Sequence, residues 1–250
     1  MIRIADFDTC PPKGAEKEEY KKKTEKLTQR LGELQDMLFA QKKYSVLVIF
    51  QGMDASGKDG AAKNVFRECH PSGLRVFSFK RPTEEESARD FLWRIHQNAP
   101  PKGMIHLFNR SHYEDVLIQR VHQWVDEATI RARFDAINGF ESLLMHHGNT
   151  ILFKFYMHIS YEQQGIELQQ RLDSRAKNWK HNENDWKERS YWDKYMACYE
   201  DVLNRSHEPW TVIPVDERWY RDFAIAKTIV DRLEKLDLAY PPFHPVVKPT

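Results

Sequence analysis

Residues 46–60 read Val-Leu-Val-Ile-Phe-Gln-Gly-Met-Asp-Ala-Ser-Gly-Lys-Asp-Gly, and this stretch decides the fold. The apolar run 46–50 is typical of a buried parallel strand, and residues 61–67 permit a helix. A strand, Gly-x-x-x-x-Gly-Lys and a helix, in that order, form the pattern of a phosphate-binding loop. In such a loop, backbone N–H groups and a helix N-terminus face an anion. The sequence therefore predicts a protein that handles phosphoanhydrides.

The loop itself supplies the first group of candidate phosphate-binding residues. Its glycines allow the backbone to turn inward, and Lys58 carries the full charge that follows a transferred phosphoryl group. The candidates in this segment are Gly52, Ala55, Ser56, Gly57, Lys58, Asp59 and Gly60.

Two carboxylates stand in this loop, where phosphate would repel them. Because repulsion is relieved by a cation placed between the two anions, Asp54 is interpreted as a metal ligand. Asp59 occupies the position where the loop usually has Ser or Thr, whose hydroxyl ligates Mg²⁺. The alternative for both is capping of the turn and the helix start. For Asp59 the two interpretations stay open.

The composition limits the class of protein. The chain has 250 residues, enough for one large α/β domain. Its 38 basic and 37 acidic residues give a net charge of +1, so a polyanion can be attracted only by local clusters and no nucleic-acid partner is predicted. The three cysteines lack metal-ligand spacing and are interpreted as reduced thiols. Without a long apolar segment or a signal peptide, the protein is predicted to be cytoplasmic, with no membrane partner.

Strands and helices alternate along the chain. Strands are predicted at 46–50, 74–79, 104–108, 150–157 and 210–215. The principal helices are predicted at 16–40, 83–98 (opened by a capping box), 127–147, 161–173, 191–204 and 219–236. This alternation predicts a parallel sheet with helices on both faces. Residues 16–240 form the predicted single domain, preceded by an irregular segment 1–15 and followed by a flexible tail 241–250.

The first long helix, predicted at 16–40, carries a leucine stripe. Leu27, Leu31, Leu34 and Leu38 follow each other at 4-3-4 spacing. The simplest interpretation is that the stripe docks on the domain; a seam for self-association is the alternative.

Two further strand ends are polar. Ligands of such sheets bind at the carboxyl ends of the strands. Lys80 and Arg81 follow the second strand, and Asn109 and Arg110 follow the third. Arg110 could fork onto phosphate oxygens and stabilise the transferring group. The alternative is a surface arginine paired with Glu114 or Asp115.

Asn109 and Glu114 are also candidates for the catalytic site. Asn109 stands where phosphate-loop enzymes commonly have a metal-binding Asp, and its neutral amide lowers the local negative charge. Glu114 has two interpretations that remain open: it could face the cleft, or it could close a capping box with Ser111.

A polar insertion follows the fourth strand and its helix. It contributes Arg171, Arg175, Lys177 and Lys180, which a mobile lid could close over a phosphoryl group while excluding water. A solvated charged helix is the alternative, because Asp173, Glu183 and Asp185 lie nearby. No Ser–His–Asp or zinc arrangement is recognisable.

Several long motifs resemble the second polyphosphate kinase family. They are Gly-Met-Asp-Ala-Ser-Gly-Lys-Asp-Gly at 52–60, Pro-Ser-Gly-Leu-Arg-Val at 71–76, Asn-Arg-Ser-His-Tyr-Glu-Asp-Val-Leu at 109–117, Lys-Asn-Trp-Lys at 177–180, and Pro209-Trp210 with 212–214. The motifs occur in the family's order, and the resemblance covers about residues 20–240.

The resemblance implies a P-loop kinase of the thymidylate-kinase-like type, a three-layer sandwich with a five-stranded parallel sheet and a helical lid at about 161–190. It implies Mg²⁺, with Mn²⁺ as the alternative ion, and phosphoryl transfer from inorganic polyphosphate to purine nucleotides. By motif, Asp54 would bind metal, Lys58 would grip phosphate and Arg110 would clamp the reacting group. By analogy alone, the protein would be a homo-oligomer, either a dimer or a tetramer.

Two positions bear on substrate choice. The subgroup that acts on ADP alone typically has Asp at position 109, so Asn109 is similar to the subgroup that phosphorylates both AMP and ADP. The first turn of the lid helix usually carries a basic residue where this chain has Glu167. That change would remove a phosphate contact, and its effect on chain binding or donor preference stays open.

A polyphosphate donor has no base to read, so it requires a basic track instead of a base pocket. Lys63, Arg67, Lys80, Arg81 and the lid could build this track. The nearest alternative is an ATP-dependent nucleoside monophosphate kinase, which needs a pocket for the donor purine. A nucleotide-binding scaffold without turnover is the third hypothesis, against which Lys58 and Arg110 argue.

Overall fold

The computed structural model describes residues 1–243, so most of the tail predicted at 241–250 lies outside the described residues. Five strands form one sheet in which every neighbouring pair is parallel. The strands are β1 (Ser45–Gln51), β2 (Leu74–Ser78), β3 (Ile105–Asn109), β4 (Thr150–His158) and β5 (Thr211–Pro214). Their order in the sheet is β2-β3-β1-β4-β5.

Helices flank this sheet. They are α1 (Lys17–Gln41), α2 (Lys58–Val65), α3 (Glu84–Ser87), α4 (Trp93–His96), α5 (Ile118–Val121), α6 (Glu127–Gly148), α7 (Tyr161–Asp173), α8 (Arg175–Asn178), α9 (Glu183–Arg189), α10 (Trp192–Arg205) and α11 (Arg218–Leu233). Single 3-10 turns occur at Ile4–Asp6, Pro71–Gly73 and His112–Val116. The α/β class and the five-stranded parallel sheet predicted from the sequence are confirmed.

The strand that leads into the motif around Lys58, β1, is the central strand of the sheet. All seven of its residues are buried, because it pairs with β3 on one side and β4 on the other. In this register Phe50 lies beside Asn109 and beside Phe155. The segments that follow β1 and β3 therefore leave the sheet at the same edge, which is where ligands of parallel sheets bind.

Helix α1 docks on the domain through its leucine stripe, as predicted. Leu31, Leu34 and Leu38 are buried and belong to the main core. Near the start of the helix, the ring of Tyr20 packs edge-on against Phe223 of α11, with 4.7 Å between ring centroids. Burial of this stripe removes apolar surface from water and fixes α1 against α11.

The prediction of a single helix from 83 to 98 is wrong, because this segment forms two short helices. The capping box at Thr83 and Glu86 is present, but α3 ends at Ser87 and a separate short helix, α4, begins at Trp93. Between them, the carboxylate of Asp90 accepts the N–H of Leu92 at 3.0 Å. Such a local side-chain bond competes with the helical ladder and turns the chain.

No helix among residues 1–243 is long and apolar enough to cross a lipid bilayer.

A buried ion pair stabilises the region beneath the third strand end. Lys154 of β4 donates to Glu141 of α6 at 2.6 Å and to the hydroxyl of Tyr113 at 2.8 Å, and Tyr113 donates to Glu141 at 2.9 Å. Burial lowers the pKa of Lys154. Burial alone would raise the pKa of Glu141, but His112 and Lys154 outweigh it and lower that pKa. Each charge therefore depends on its partners to remain ionised.

Replacement Lys154→Met is expected to lower the free energy of unfolding by about 3–5 kcal/mol, because it leaves the Glu141 carboxylate buried without its cation. The measurement is urea denaturation followed by circular dichroism. Lys227→Met is the matched control, since Lys227 pairs with Asp231 at 2.6 Å but both side chains are about half exposed. The control is expected to cost less than about 1 kcal/mol. Equal losses in the two variants would show that the buried pair contributes nothing special.

Candidate active site

The loop between β1 and α2 has the backbone of an anion-binding turn. Gly52 and Gly57 adopt positive φ angles of 152° and 85°, and Ala55 also lies in the left-handed region at 67°. A side chain at Gly57 would meet the guanidinium of Arg221, whose Nη1 lies 2.3 Å from the position of an added Cβ. Glycine is therefore required at this position for both its backbone conformation and its lack of volume. Helix α2 begins directly afterwards, at Lys58.

Lys58 lies inside the loop that precedes it. Its ammonium group donates to the carbonyl oxygens of Gly52 at 2.8 Å and Met53 at 3.0 Å, and only 8% of the residue is exposed. Burial lowers its pKa to about 8, and the carboxylate of Asp54 opposes this shift. The lysine is thus held at the loop with a charge that a bound phosphate would stabilise.

Arg110 reaches the loop from the end of β3. Its guanidinium forms an ion pair and hydrogen bond with Asp54 rather than with Glu114 or Asp115, the partners of the alternative interpretation, and its role in catalysis stays a prediction. The negative charges of Glu114 and Asp54 raise the pKa of Arg110. Burial alone would raise the pKa of Asp54, but Arg110 and Lys58 outweigh it and lower that pKa. Arg110 also has a φ of 63°, unusual for a non-glycine residue and typical of functional sites.

Asp59 joins three parts of the molecule. Its carboxylate accepts a hydrogen bond from the amide of Asn109 and lies 3.2 Å from the ammonium of Lys180. The loop, the end of β3 and the insertion are thereby connected at one carboxylate. A neutral amide at position 109 suits this contact because an aspartate there would place two carboxylates face to face.

Arg221 is a site residue that the sequence analysis missed. It lies in the first turn of α11, is 2% exposed, and donates to the carbonyl of Gly57 at 3.3 Å. Asp222 pairs with it at 2.6 Å. Arg110 directly follows β3, whereas Arg218 and Arg221 lie four and seven residues after the end of β5, so their position in the sequence did not mark them as strand-end residues.

These groups line one cleft of about 370 Å³ at the carboxyl edge of the sheet. We call it the loop cleft. Its cationic residues are Lys58, Arg110, Arg171, Lys177, Lys180, Arg218 and Arg221, and its acidic residues are Asp54, Asp59 and Glu167. The predicted residues Ala55, Ser56, Gly57, Gly60 and Asn109 line it as well. The structure therefore brings most of the predicted phosphate-binding residues together around a cleft with a surplus of positive charge.

A second cleft of about 450 Å³ lies beside the first and shares Arg110 with it. We call it the aromatic cleft, because Phe79 and Trp124 line it together with the predicted residues Lys80, Arg81 and Glu114. Glu114 accepts a hydrogen bond from Gln51 at 3.0 Å, whereas Ser111 accepts the N–H of Tyr113. The cleft-facing interpretation of Glu114 thus holds in place of the capping box.

The remaining candidates lie apart from these two clefts. Lys63 and Arg175 are exposed and line neither cleft. Arg67 pairs with Glu68 at 3.2 Å and lines an outer groove between α1, α2, α7 and α11. Gly52 contributes its carbonyl to Lys58.

The segment from α7 to α9 contacts the loop through Gln164 of α7 and through Lys180, which lies between α8 and α9. Gln164 of α7 is fully buried and donates to the carbonyl of Asp54 at 3.0 Å, while its own oxygen accepts from Arg189 at 2.8 Å. Arg171 pairs with Asp185 at 2.6 Å. Part of the insertion's positive charge is therefore balanced within the insertion, and Lys180 is the cation that reaches across to the loop.

The donor set of the loop cleft fits a hard divalent cation such as Mg²⁺. Within residues 1–243 there is no cluster of three or more His, Cys, Asp or Glu side chains that could hold a metal alone. Asp54 and Asp59 both line the cleft, however, and Mg²⁺ is usually bound by one or two carboxylates together with substrate phosphates and water. These two carboxylates are the residues that would hold it.

The sequence of this chain is similar to the members of one protein family. The family model for Polyphosphate kinase 2 (PPK2) matches residues 14–240. The AMP/ADP-polyphosphate phosphotransferase of Meiothermus ruber is 45% identical over 218 residues, 86% of this chain and 81% of that protein. The ADP-polyphosphate phosphotransferase of Rhodopseudomonas palustris is 36% identical over 244 residues, 92% of this chain and 84% of that protein.

A solved structure agrees with these relatives. The crystal structure of Polyphosphate Kinase 2 from Arthrobacter aurescens TC1 superposes with a TM-score of 0.94 at 38% identity, covering 98% of this chain and 90% of that one. The match extends over the sheet, the loop and the insertion alike, as did the motifs recognised in the sequence. The chain belongs to the polyphosphate kinase 2 family.

Proposed function

We propose that this protein transfers phosphoryl groups from inorganic polyphosphate to nucleoside mono- and diphosphates, converting AMP to ADP and ADP to ATP. The loop cleft would hold the donor and the aromatic cleft the acceptor nucleotide. Arg110, which lines both, would lie where the two substrates meet. The names of the relatives from Meiothermus ruber and Rhodopseudomonas palustris support this chemistry.

The observation that carries the proposal is the lining of the loop cleft. Seven cationic residues face three carboxylates there, and no aromatic side chain is found among the lining residues within the described part of the chain. The base of a nucleoside donor usually stacks on an aromatic side chain, and the large apolar residues in this lining are limited to Ile159 and Val215; polyphosphate presents only negative oxygens. The lining therefore favours polyphosphate over ATP as the donor.

The aromatic cleft has the complementary character. Trp124 is 64% exposed and Phe79 lies in the same cleft, which gives a nucleobase a surface to stack on. Lys80 and Arg81, which the sequence analysis assigned to a polyphosphate track, line this cleft and would instead provide charges for the acceptor phosphates. Acceptance of AMP as well as ADP stays a prediction from Asn109, and the choice between adenine and guanine follows from neither cleft.

The residues of the loop cleft would act on the reacting phosphoryl group by positioning and by electrostatic stabilisation. Phosphoryl transfer spreads negative charge over the transferring oxygens, so fixed cations stabilise the transition state. Lys58 and Arg110 would supply those cations, and the N-terminus of α2 would supply backbone N–H groups. Residues 161–190 would act as a lid that excludes water, with Lys180 contacting the loop.

Mg²⁺ held by Asp54 and Asp59 would neutralise phosphate charge and orient the donor. Mn²⁺ has the same preference for oxygen ligands and is the alternative ion. A homo-oligomer, either a dimer or a tetramer, stays a prediction that rests on family analogy.

The first test is formation of ADP and ATP from AMP with long-chain polyphosphate and Mg²⁺, without any nucleoside triphosphate. The wild-type protein is expected to form both products. Lys58→Ala is expected to reduce kcat by about 10²-fold or more, because it removes a cation from the transferring group. Products are measured by liquid chromatography, and Lys63→Ala is the control for loss of an exposed lysine on the same helix.

Turnover with ATP but not with polyphosphate would contradict the proposal and favour the monophosphate kinase. Phosphorylation of ADP but not AMP would contradict the assignment drawn from Asn109. Nucleotide binding without turnover would favour the scaffold.

Donor affinity is expected to fall as the pH rises through about 8. Burial depresses the pKa of Lys58 to about 8, so the free enzyme carries this charge below that pH and loses it above. The measurement is calorimetric binding of tripolyphosphate between pH 6.5 and 9.5. Lys58→Arg is the matched control because a guanidinium remains charged over the whole range. A flat wild-type profile, or the same decline in Lys58→Arg, would exclude Lys58 as the titrating group.

A further inference from the structure

Glu167 is a carboxylate that lines the loop cleft, where most of the charged residues are cationic. It lies in the second turn of α7, one turn later than the sequence analysis placed it, and only 16% of its side chain is exposed. Both of its carboxylate oxygens accept hydrogen bonds from the guanidinium of Arg218. The ammonium of Lys177 lies 3.9 Å away, and the amide of Gln163 donates to it at 3.4 Å. Glu167 thus pairs with Arg218 and lies near Lys177, whose ammonium donates a hydrogen bond to Gln170 at 2.6 Å.

The position of Glu167 marks one end of that cleft. Gln163, Glu167 and Arg218 line both the loop cleft and the outer groove that continues from it along α1. Unlike the loop cleft, the outer groove has no surplus of cationic residues in its lining. Its lining has four cationic residues, Lys17, Lys21, Arg67 and Arg218, against five acidic ones, Glu25, Glu167, Asp216, Glu217 and Asp222. Arg218 is therefore the cation that the two share, and beyond it acidic residues outnumber cationic ones.

These two cations are free to change partners. The side chains of Arg218 and Lys177 are 54% and 37% exposed, so they can turn toward a ligand without leaving a buried site. A phosphate oxygen that approaches them has to replace the Glu167 carboxylate, or else approach it at close range. Either event subtracts from the binding free energy that the cations would otherwise contribute.

We propose that Glu167 is a specificity-determining residue for the phosphate donor. It acts as an internal counter-ion that competes with donor phosphates for Arg218 and Lys177, and it weakens binding of the part of the chain that extends beyond the loop. The inference rests on the proposed use of polyphosphate as the donor. If the proposal holds, a long polyphosphate donor binds only a little more tightly than a short one, because its additional phosphates contribute little binding free energy at this end of the cleft.

Replacement Glu167→Gln tests the proposal because it removes the charge while keeping the size of the side chain. The KM for long-chain polyphosphate is expected to fall by about 2- to 5-fold, with a smaller fall for tripolyphosphate and no change in the KM for ADP. Glu162→Gln is the matched control. Glu162 lies in the first turn of the same helix and is exposed, and its replacement changes the net charge equally.

A purely structural ion pair between α7 and α11 predicts different results. In that case Glu167→Gln would lower the melting temperature and leave the donor KM unchanged or raised. The dependence of the donor KM on salt separates the two roles. With Arg218 and Lys177 released to the chain, the slope of log KM against log salt is expected to steepen by roughly 0.7 for each new phosphate contact.

A double-mutant cycle gives a second measurement. When Arg218→Gln is combined with Glu167→Gln, most of the fall in donor KM caused by Glu167→Gln is expected to disappear, because the released cation is then missing. If the double variant kept the whole fall in donor KM that Glu167→Gln causes, the proposal would be overturned. An unchanged donor KM in a folded Glu167→Gln protein would also overturn it. If the KM for tripolyphosphate fell as much as the KM for long-chain polyphosphate, the effect of Glu167 could not be placed at the outer end of the cleft. If wild-type protein fails to use polyphosphate at all, the proposed function itself fails, which the wild-type assay detects separately.

Discussion

The concentration of positive charge in the loop cleft is the constraint on which the site depends. Seven cationic side chains line one cleft of a chain whose net charge is only +1. Without an anion between them, these cations would repel one another and open the cleft. The carboxylates in the lining relieve this repulsion in pairs: Asp54 with Arg110, Asp59 with Lys180, and Glu167 with Arg218. Each pair also joins segments that are distant in sequence.

The same pairs bear on the proposed binding of phosphate. Cations that are already held by carboxylates would lose less conformational freedom when they bind a phosphate. In the proposed function, Asp54 and Asp59 would have a second role, since a divalent cation could bind them together with phosphates. Glu167 lies at the outer end, where it pairs with Arg218 and, in our proposal, competes with the donor for it. The three carboxylates therefore have different consequences although each is a counter-ion.

Rigid packing beneath the cleft supports this arrangement. The turn that carries Arg110 is followed directly by Tyr113, which is fully buried and bonded to Lys154 and Glu141. That network ties the turn to β4 and α6, which are parts of the folded core. An arginine held at positive φ can persist there because the surrounding structure fixes its neighbours.

By itself, the sequence determined the strand and helix alternation, the phosphate-binding loop and the family, because these depend on local patterns of apolar residues and glycines. It also predicted Lys58, Asp54, Arg110 and Lys180 as site residues from recognisable motifs, and all four line the loop cleft. It could not locate the break at Asp90, where one side-chain bond outweighs a helical pattern. Nor could it find Arg221, which reaches Gly57 across 164 positions of the chain. Only the tertiary structure decided which cations face which carboxylates, because charge pairing acts through space and leaves no periodic signal in the sequence.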